Sequence, residues 1–219
     1  MSLESYIYNK ISNNSQLTDI SEIKLKTLLD SGISSNLTLD KSFCNVGNNF
    51  LGAALRKQGY LCDDVEDLDK NSKSYDYIIA ADEWLTQADS EDHQQQKIAN
   101  ICNKSRIGFV TTIKDYKNMN FNQRSFYDPF QIKTDDGNIV LIKYRDWSMT
   151  DRQKWTETHY ALQDNNLLYS KTINKRTMYF KQLAKFASDA GSKNFQVNKK
   201  LMYKSLFNKN QDYIIYISF

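Results

Sequence analysis

The stretch SFCNVGNNFLGAALRKQGYLCDDVED, Ser42 to Asp67, decides how this chain is read. Its opening SFCNV, Ser42–Val46, predicts a short buried strand. Gly47 marks a turn, and FLGAALRKQG predicts a helix stopped by Gly59. YLCDDVE then predicts a second strand ending in acid. Strand, glycine turn, helix and strand make a βαβ unit, which requires parallel pairing and a crossover helix.

The pattern continues outward from there. YDYIIAAD, Tyr75–Asp82, is an apolar run between polar flanks, as in a strand covered on both faces. A helix is predicted over about 90–103 with Ile98, Ile101 and Cys102 inward, followed by a strand at RIGFVTT. The order β-α-β-β-α-β argues for a doubly wound α/β sheet. Upstream, SLESYIYNKI and TDISEIKLKTLLDSG predict two helices, the second capped by Thr18 or Asp19 and stopped at Gly32.

Beyond residue 115 the character changes. NIVLIKYRDW, KWTETHYALQ and NLLYSKTIN alternate polar with apolar or aromatic residues, predicting antiparallel strands exposed on one face. TMYFKQLAKFASDAG predicts an amphipathic helix with Tyr179, Phe180, Leu183 and Phe186 inward and Gly191 as its stop. NFQVN and DYIIYISF predict two closing strands. The chain therefore reads as an N-terminal helical segment, 1–38, and an α/β domain, 39–219, in which 116–175 is a small antiparallel cap or substrate-binding insertion.

With 219 residues, 40% apolar and 13% aromatic, the chain can bury a sizeable core. Net charge is +3, unevenly spread: residues 1–104 carry 10 basic and 16 acidic side chains, residues 105–219 carry 19 and 10. The basic half is either a solvated face or an attraction for an anionic substrate or nucleic acid. No apolar run approaches the roughly 20 residues of a membrane span, and the first residues do not resemble a signal peptide. Cys44, Cys62 and Cys102 lack metal-like spacing and fit free thiols in the cytoplasm, and two histidines make a zinc site an unpromising reading. Phosphate-cradling Gly-Lys-Ser/Thr and Gly-x-Ser-x-Gly motifs are missing, which argues against ATP and serine-hydrolase chemistry. YDPF, Tyr127–Phe130, reads as a turn.

In motif order and spacing the chain resembles the S-adenosylmethionine-dependent methyltransferases of the Rossmann-like class. Their first motif runs strand, Asp/Glu-x-Gly-x-Gly-x-Gly, helix. Here FCNVGNNFLG supplies Gly47 at the first glycine, Asn49 at the second and Gly52 near the third, with Asn45 in place of the acid. Asn48 or Asn49 could hold the turn, since Asn tolerates positive φ. The family's second strand leads to an acid that holds the ribose hydroxyls; that position falls on Glu66, nineteen residues beyond Gly47, with Asp64 and Asp67 as substitutes. YDYIIAADEW resembles the family's fourth strand and the loop below the transferred methyl group, which places Asp82 and Glu83 at the cofactor and Trp84 at the pocket wall. Only about ten residues separate Glu66 from that strand, where the family fits a helix and a third strand with its contact to adenine, so either the sheet is trimmed at that edge or adenine is held by other groups, such as those near Asp67–Asp69.

The resemblance implies S-adenosylmethionine as cofactor and methylation of a small polar acceptor, anionic or neutral, with the 116–175 segment as the acceptor pocket. His159 is the candidate base, with Asp82 or Tyr160 as alternatives, and Arg145, Arg152, Lys175 and Arg176 are candidates for holding an acidic substrate. Two other readings stand beside it: a scaffold of the same fold that has lost the cofactor, and a nucleic-acid methyltransferase using the basic half. Oligomeric state is not legible.

Overall fold

The computed structural model describes residues 3–11, 14–33, 37–47, 49–82, 84–114, 116, 124–204 and 209–219. Helices α1 (Leu3–Ile11) and α2 (Ser15–Asp30) precede β1 (Ser42–Val46), α3 (Asn49–Lys57), β2 (Leu61–Val65), β3 (Tyr75–Ala80), α4 (Glu91–Lys104) and β4 (Ser105–Lys114). Then come β5 (Arg124–Phe126), β6 (Phe130–Thr134), β7 (Gly137–Trp147), β8 (Lys154–Gln163) and β9 (Asn166–Arg176). Helix α5 (Phe180–Asp189) and the hairpin β10 (Asn194–Lys204) and β11 (Lys209–Ser218) complete the order.

Six strands form one sheet in the order β10-β11-β4-β3-β1-β2. β2, β1, β3 and β4 run parallel, and β11 returns antiparallel against β4. The mostly apolar runs of β1, β3 and β4 follow from burial on both faces, while β2, LCDDV, is only partly buried. Phe43, Tyr77, Ile79 and Val110 pack one way, against Leu25, Leu28 and Leu29 of α2 and Leu51 and Leu55 of α3. Cys44, Ile78 and Phe109 pack the other way, against Ile98 and Ile101 of α4 and Leu183 and Phe186 of α5. The sheet is thus an α/β, Rossmann-like doubly wound sheet with N-terminal helices added.

Between β2 and β3 there is one 3-10 turn, Leu68–Lys70, with Leu68 buried. β2 is therefore the edge of this sheet, the trimmed outcome of the two the spacing allowed.

The remaining five strands, β5-β7-β8-β9 with β6 also paired to β7, form a second, wholly antiparallel sheet. One end of it meets α1, the start of α2 and α3: Leu3, Ile7, Leu17 and Phe50 pack on Ile132, Ile139, Leu141 and Ala161. Its other end joins the main core through Trp147 and Trp155, which share a cluster with Trp84, Tyr116 and Met178. Among the described residues, no helix is long and apolar enough to cross a membrane.

Four local expectations are corrected. α2 starts at Ser15 rather than near Thr18 or Asp19, because Asn14 caps it, accepting the Leu17 N–H at 3.3 Å. Asn14 is held there by its own Nδ2, which donates to the Lys133 carbonyl at 2.9 Å. Gly32 lacks a left-handed φ; a Cβ on it would meet the Tyr216 ring at 2.7 Å, so the glycine serves packing and not helix termination. Tyr179 and Phe180 are 39% and 41% exposed rather than inward, because α5 begins at Phe180 and its buried stripe starts with Leu183.

Candidate functional site

The site is built at the C-terminal ends of β1, β2 and β3, where a parallel sheet leaves its crevice. β1 ends at Gly47, whose φ of 79° favours glycine. Its N–H donates to the Val65 carbonyl at 3.0 Å, tying the turn to the end of β2 and placing exposed Glu66 directly beside it. A Cβ on Gly47 would lie 3.2 Å from Cδ1 of Trp84, so the turn approaches the segment after β3 closely and a side chain there would press the indole aside by a few tenths of an ångström.

Three further groups near this turn, Asn45, Asp64 and Asp67, have these partners. Asn45 is fully buried, and its Nδ2 donates to Asp64 Oδ1 at 2.7 Å; Arg56 Nη2 donates to Asp64 Oδ2 at 2.7 Å. Asn45 therefore meets the carboxylate of the neighbouring strand, opposite which it is registered. Gly52, on the first turns of α3, leaves space for that carboxylate: a Cβ there would fall 1.8 Å from Asp64 Oδ1. Asp67 accepts the Asp69 N–H at 3.1 Å and pairs with Lys70 at 3.1 Å, and the Lys70 ammonium holds its carboxyl below the usual range. Asn49 opens α3, while Asn48 and Glu83 lie outside the described residues.

Asp82 follows β3 with a φ of 57°, an uncommon conformation for a non-glycine residue and one that gathers at functional sites. Its N–H donates to Thr112 Oγ1 at 3.1 Å, and its carboxylate is paired with Lys24 of α2. Lys24 is buried, so the N-terminal helix contributes a charge to this end of the sheet.

The second sheet turns its charges inward. Along β8, Trp155, Glu157, His159 and Ala161 share one face, and Tyr160 lies on the other. Tyr160 stacks on Tyr144 there, 6.2 Å between ring centroids, so His159 and Tyr160 do not face a common site. Glu157 is fully buried and is the hub of the inner face. It accepts from Lys175 Nζ at 2.6 Å and Arg145 Nη2 at 2.8 Å, and is paired with Lys143 at 3.0 Å and with His159 Nε2 at 3.4 Å. Burial alone would raise the Glu157 carboxyl; Lys143 and Lys175, then His159, overcome it and hold it well below the usual carboxylate range. Lys114, the last residue of β4, also acts on Glu157, which places this cluster at the C-terminal edge of the main sheet. Arg145 lies over the rings of Trp155 at 5.3 Å, Tyr127 at 5.4 Å and Trp147 at 5.5 Å. Beside it, a cleft of about 420 Å³ lies between Ala88–Asp89 and the second sheet, bounded by Trp147, Lys154, Trp155 and Lys175.

Of the proposed substrate-holding cations, Arg145 and Lys175 are in this cluster; Arg176 is instead near Asp151 and the exposed Arg152 is not part of it. Sequence reasoning missed Glu157, Lys143, Lys114 and Lys24. Glu157 had one signal, an acid framed by aromatics in WTETHY, but only the register that sets it opposite Arg145 reveals its role.

No family model matches the chain, and no curated protein matches its sequence. Solved structures do match in shape. The CcbJ methyltransferase from Streptomyces caelestis aligns with a TM-score of 0.60 at 12% identity, covering 91% of this chain and 94% of that one. The S-adenosylmethionine-bound amino pentose methyltransferase from Micromonospora echinaspora, involved in calicheamicin biosynthesis, aligns at 0.56 and 6% identity, covering 100% and 98%. An S-adenosylmethionine-dependent methyltransferase from Clostridium acetobutylicum aligns at 0.55 and 11%, covering 98% and 96%. This chain has the S-adenosylmethionine-dependent methyltransferase fold. The second sheet is included in that likeness, since the alignments run over nearly the whole length of both chains.

The residues at the methyltransferase-fold crevice fit the cofactor of that fold in two respects. Gly47 keeps a left-handed, side-chain-free turn at the end of β1, and Glu66 offers an exposed carboxylate at the end of β2.

Proposed function

We propose that the protein is an S-adenosylmethionine-dependent methyltransferase acting on a small, anionic acceptor. The observation that carries this reading is the inner face of the second sheet, where Lys143, Arg145 and Lys175 converge with His159 on buried Glu157 beside the crevice. Its cations give that wall a field suited to a carboxylate or phosphate group, and low polarity around them strengthens it.

The cofactor would supply a methyl group on a sulfonium with a good leaving group. The chain's part is then to align the acceptor and, where its reacting atom carries a proton, to remove it. Gly47 and Glu66 would hold the cofactor, Glu66 by accepting from its ribose diol. Asp82, held by Lys24 and Thr112, would lie on the methyl side of the cofactor, and His159 would serve as the base. Tyr160 has no role in this reading, because it lies on the outer face of β8. The nucleic-acid alternative is less favoured because Arg145 and Lys175, strong cations of the basic half, are buried around Glu157, and the partly buried Lys143 is paired with it, instead of lying on an open surface.

Thermal unfolding with S-adenosylmethionine and S-adenosylhomocysteine tests cofactor binding, as a ligand of the native state raises its stability. Transfer of labelled methyl groups to matched acceptors with and without a carboxylate or phosphate tests the acceptor class. Preference for the anionic member of each pair is expected. Equal transfer to the neutral members would overturn the acceptor assignment, and absence of any saturable thermal shift would favour the scaffold reading.

A further inference from the structure

Lys97 is a buried lysine that the reaction described above does not use. It lies on α4, in a stretch, EDHQQQKIAN, that looks like an ordinary solvated helix. Its Nζ instead donates to the Trp84 carbonyl at 3.1 Å and the Gln87 carbonyl at 2.7 Å, and sits 4.0 Å from the centroid of the Trp84 ring. The same ring is the group that would meet a Cβ on Gly47 at 3.2 Å. Glycine turn, indole and ammonium thus form a continuous stack from the end of β1 to α4.

Both backbone and side chain of Trp84 are fixed by one cation. The carbonyl contacts hold the 3-10 turn Trp84–Thr86 against α4, and the ammonium faces the ring quadrupole. A buried ammonium is costly to desolvate unless it is richly hydrogen-bonded. This one has two backbone carbonyls and an aromatic face in place of a carboxylate contact, with Asp69, Asp67 and Asp89 acting on it more remotely. An apolar side chain would serve plain packing at this position.

We propose that Lys97 is a positioning residue for cofactor binding, holding the Trp84 indole as the wall of the pocket at the Gly47 turn. The inference rests on the proposed cofactor site. Burial pushes the Lys97 ammonium down to about 8, opposed by Asp69, Asp67 and Asp89 and reinforced by Lys175 of β9. Its charge is therefore present at neutral pH and lost just above it. Loss of the charge removes the attraction to the ring.

The test is titration of S-adenosylhomocysteine by calorimetry between pH 7 and pH 9, on the wild-type chain and on Lys97→Met, Lys97→Arg and Trp84→Phe. Wild-type affinity is expected to fall as the pH passes through 8. Lys97→Met should bind about tenfold more weakly at pH 7 and lose that pH dependence. Lys97→Arg, whose charge persists, should bind without a break near pH 8. Trp84→Phe keeps a weaker ring and should shrink the effect of Lys97→Met in the double variant. Wild-type binding with unchanged affinity and pH profile in Lys97→Met would overturn the proposal while leaving the cofactor site intact. Tighter binding by Lys97→Met would also overturn it, since Trp84 would then be a plug and not a wall. No binding by the wild-type chain would defeat the cofactor reading and this proposal together.

Discussion

At Gly52 two opposed effects can be weighed on one residue. Alanine is favoured over glycine in a helix interior by about 1 kcal/mol. Against that, its Cβ would fall 1.8 Å from Asp64 Oδ1, so the carboxylate must leave its place between Asn45 and Arg56. Overpacking of this kind costs ~1–3 kcal/mol, and lost hydrogen bonds to a charged group add ~1.5–3 kcal/mol each before any relaxation. The contact term wins: Gly52→Ala should lower stability by about 2 kcal/mol in denaturant unfolding. In an Asp64→Ala background the same change should become neutral or stabilising. If it destabilises equally there, the clash is not with Asp64. Glu66 is the second residue-scale case. Glu66→Ala should leave the unfolding midpoint within about 0.5 kcal/mol of wild type, as for an exposed position, while cofactor binding is lost. Retained affinity would remove Glu66 from the ribose role.

At the scale of elements, β8 shows what alternation in a sequence can and cannot say. The parallel strands were legible because Tyr77–Ala80 is apolar throughout and Phe43–Val46 is apolar but for Asn45, as burial on both faces requires. KWTETHYALQ correctly indicates a period of two, but period alone does not say which face is inside. Assigning the polar set to solvent is a default that fails when charges neutralise each other, as Glu157 does with Lys143, Arg145 and Lys175. Lys97 and Lys24 were hidden for a related reason: long basic side chains on helices are usually solvated, and only tertiary contacts reveal the exceptions. The Gly47 turn was legible from one glycine after a strand, whereas the Asp64 contact of Gly52 depends on how α3 packs on β2.

The energetic consequence for β8 follows from the same cluster. Removing one member of a buried ionic group costs ~3–5 kcal/mol because the remaining charges stay desolvated. Glu157→Gln should therefore lower Tm by about 10 °C in a chain of this size. The sign with pH is fixed by the depressed carboxyl of Glu157. Its contribution is fully present above the unfolded carboxyl range, about pH 4.3, and is lost as the pH falls through the lower folded value. The gap between wild type and Glu157→Gln should stay constant from pH 7 to about pH 5 and close only in stronger acid. A gap that closes near neutrality would assign the effect to another group, with His159 the first to examine.

At the scale of the whole molecule, the N-terminal helices pack on both sheets, beside the direct contact that Trp147 and Trp155 make with the main core. α2 covers the main sheet through Leu25, Leu28 and Leu29 and sends Lys24 to Asp82. α1 and the start of α2 cover the apolar end of the second sheet through Leu3, Ile7 and Leu17, and Asn14 joins β6 by its bond to the Lys133 carbonyl. If this segment fixes the second sheet over the crevice, weakening α1 should loosen that sheet without melting the main one. Leu3→Ala and Ile7→Ala each remove a fully buried side chain, at ~2–5 kcal/mol apiece. Hydrogen exchange would then rise in β6, β7 and β8, which bear the contacts, while amides of β1, β3 and β4 keep their protection. Uniform acceleration through both sheets would mean that they unfold as one cooperative unit, with α1 serving global stability alone. Selective acceleration would make α1 the element that sets how firmly the cationic wall is presented to the glycine turn, and the double variant should then lose acceptor affinity before it loses cofactor affinity.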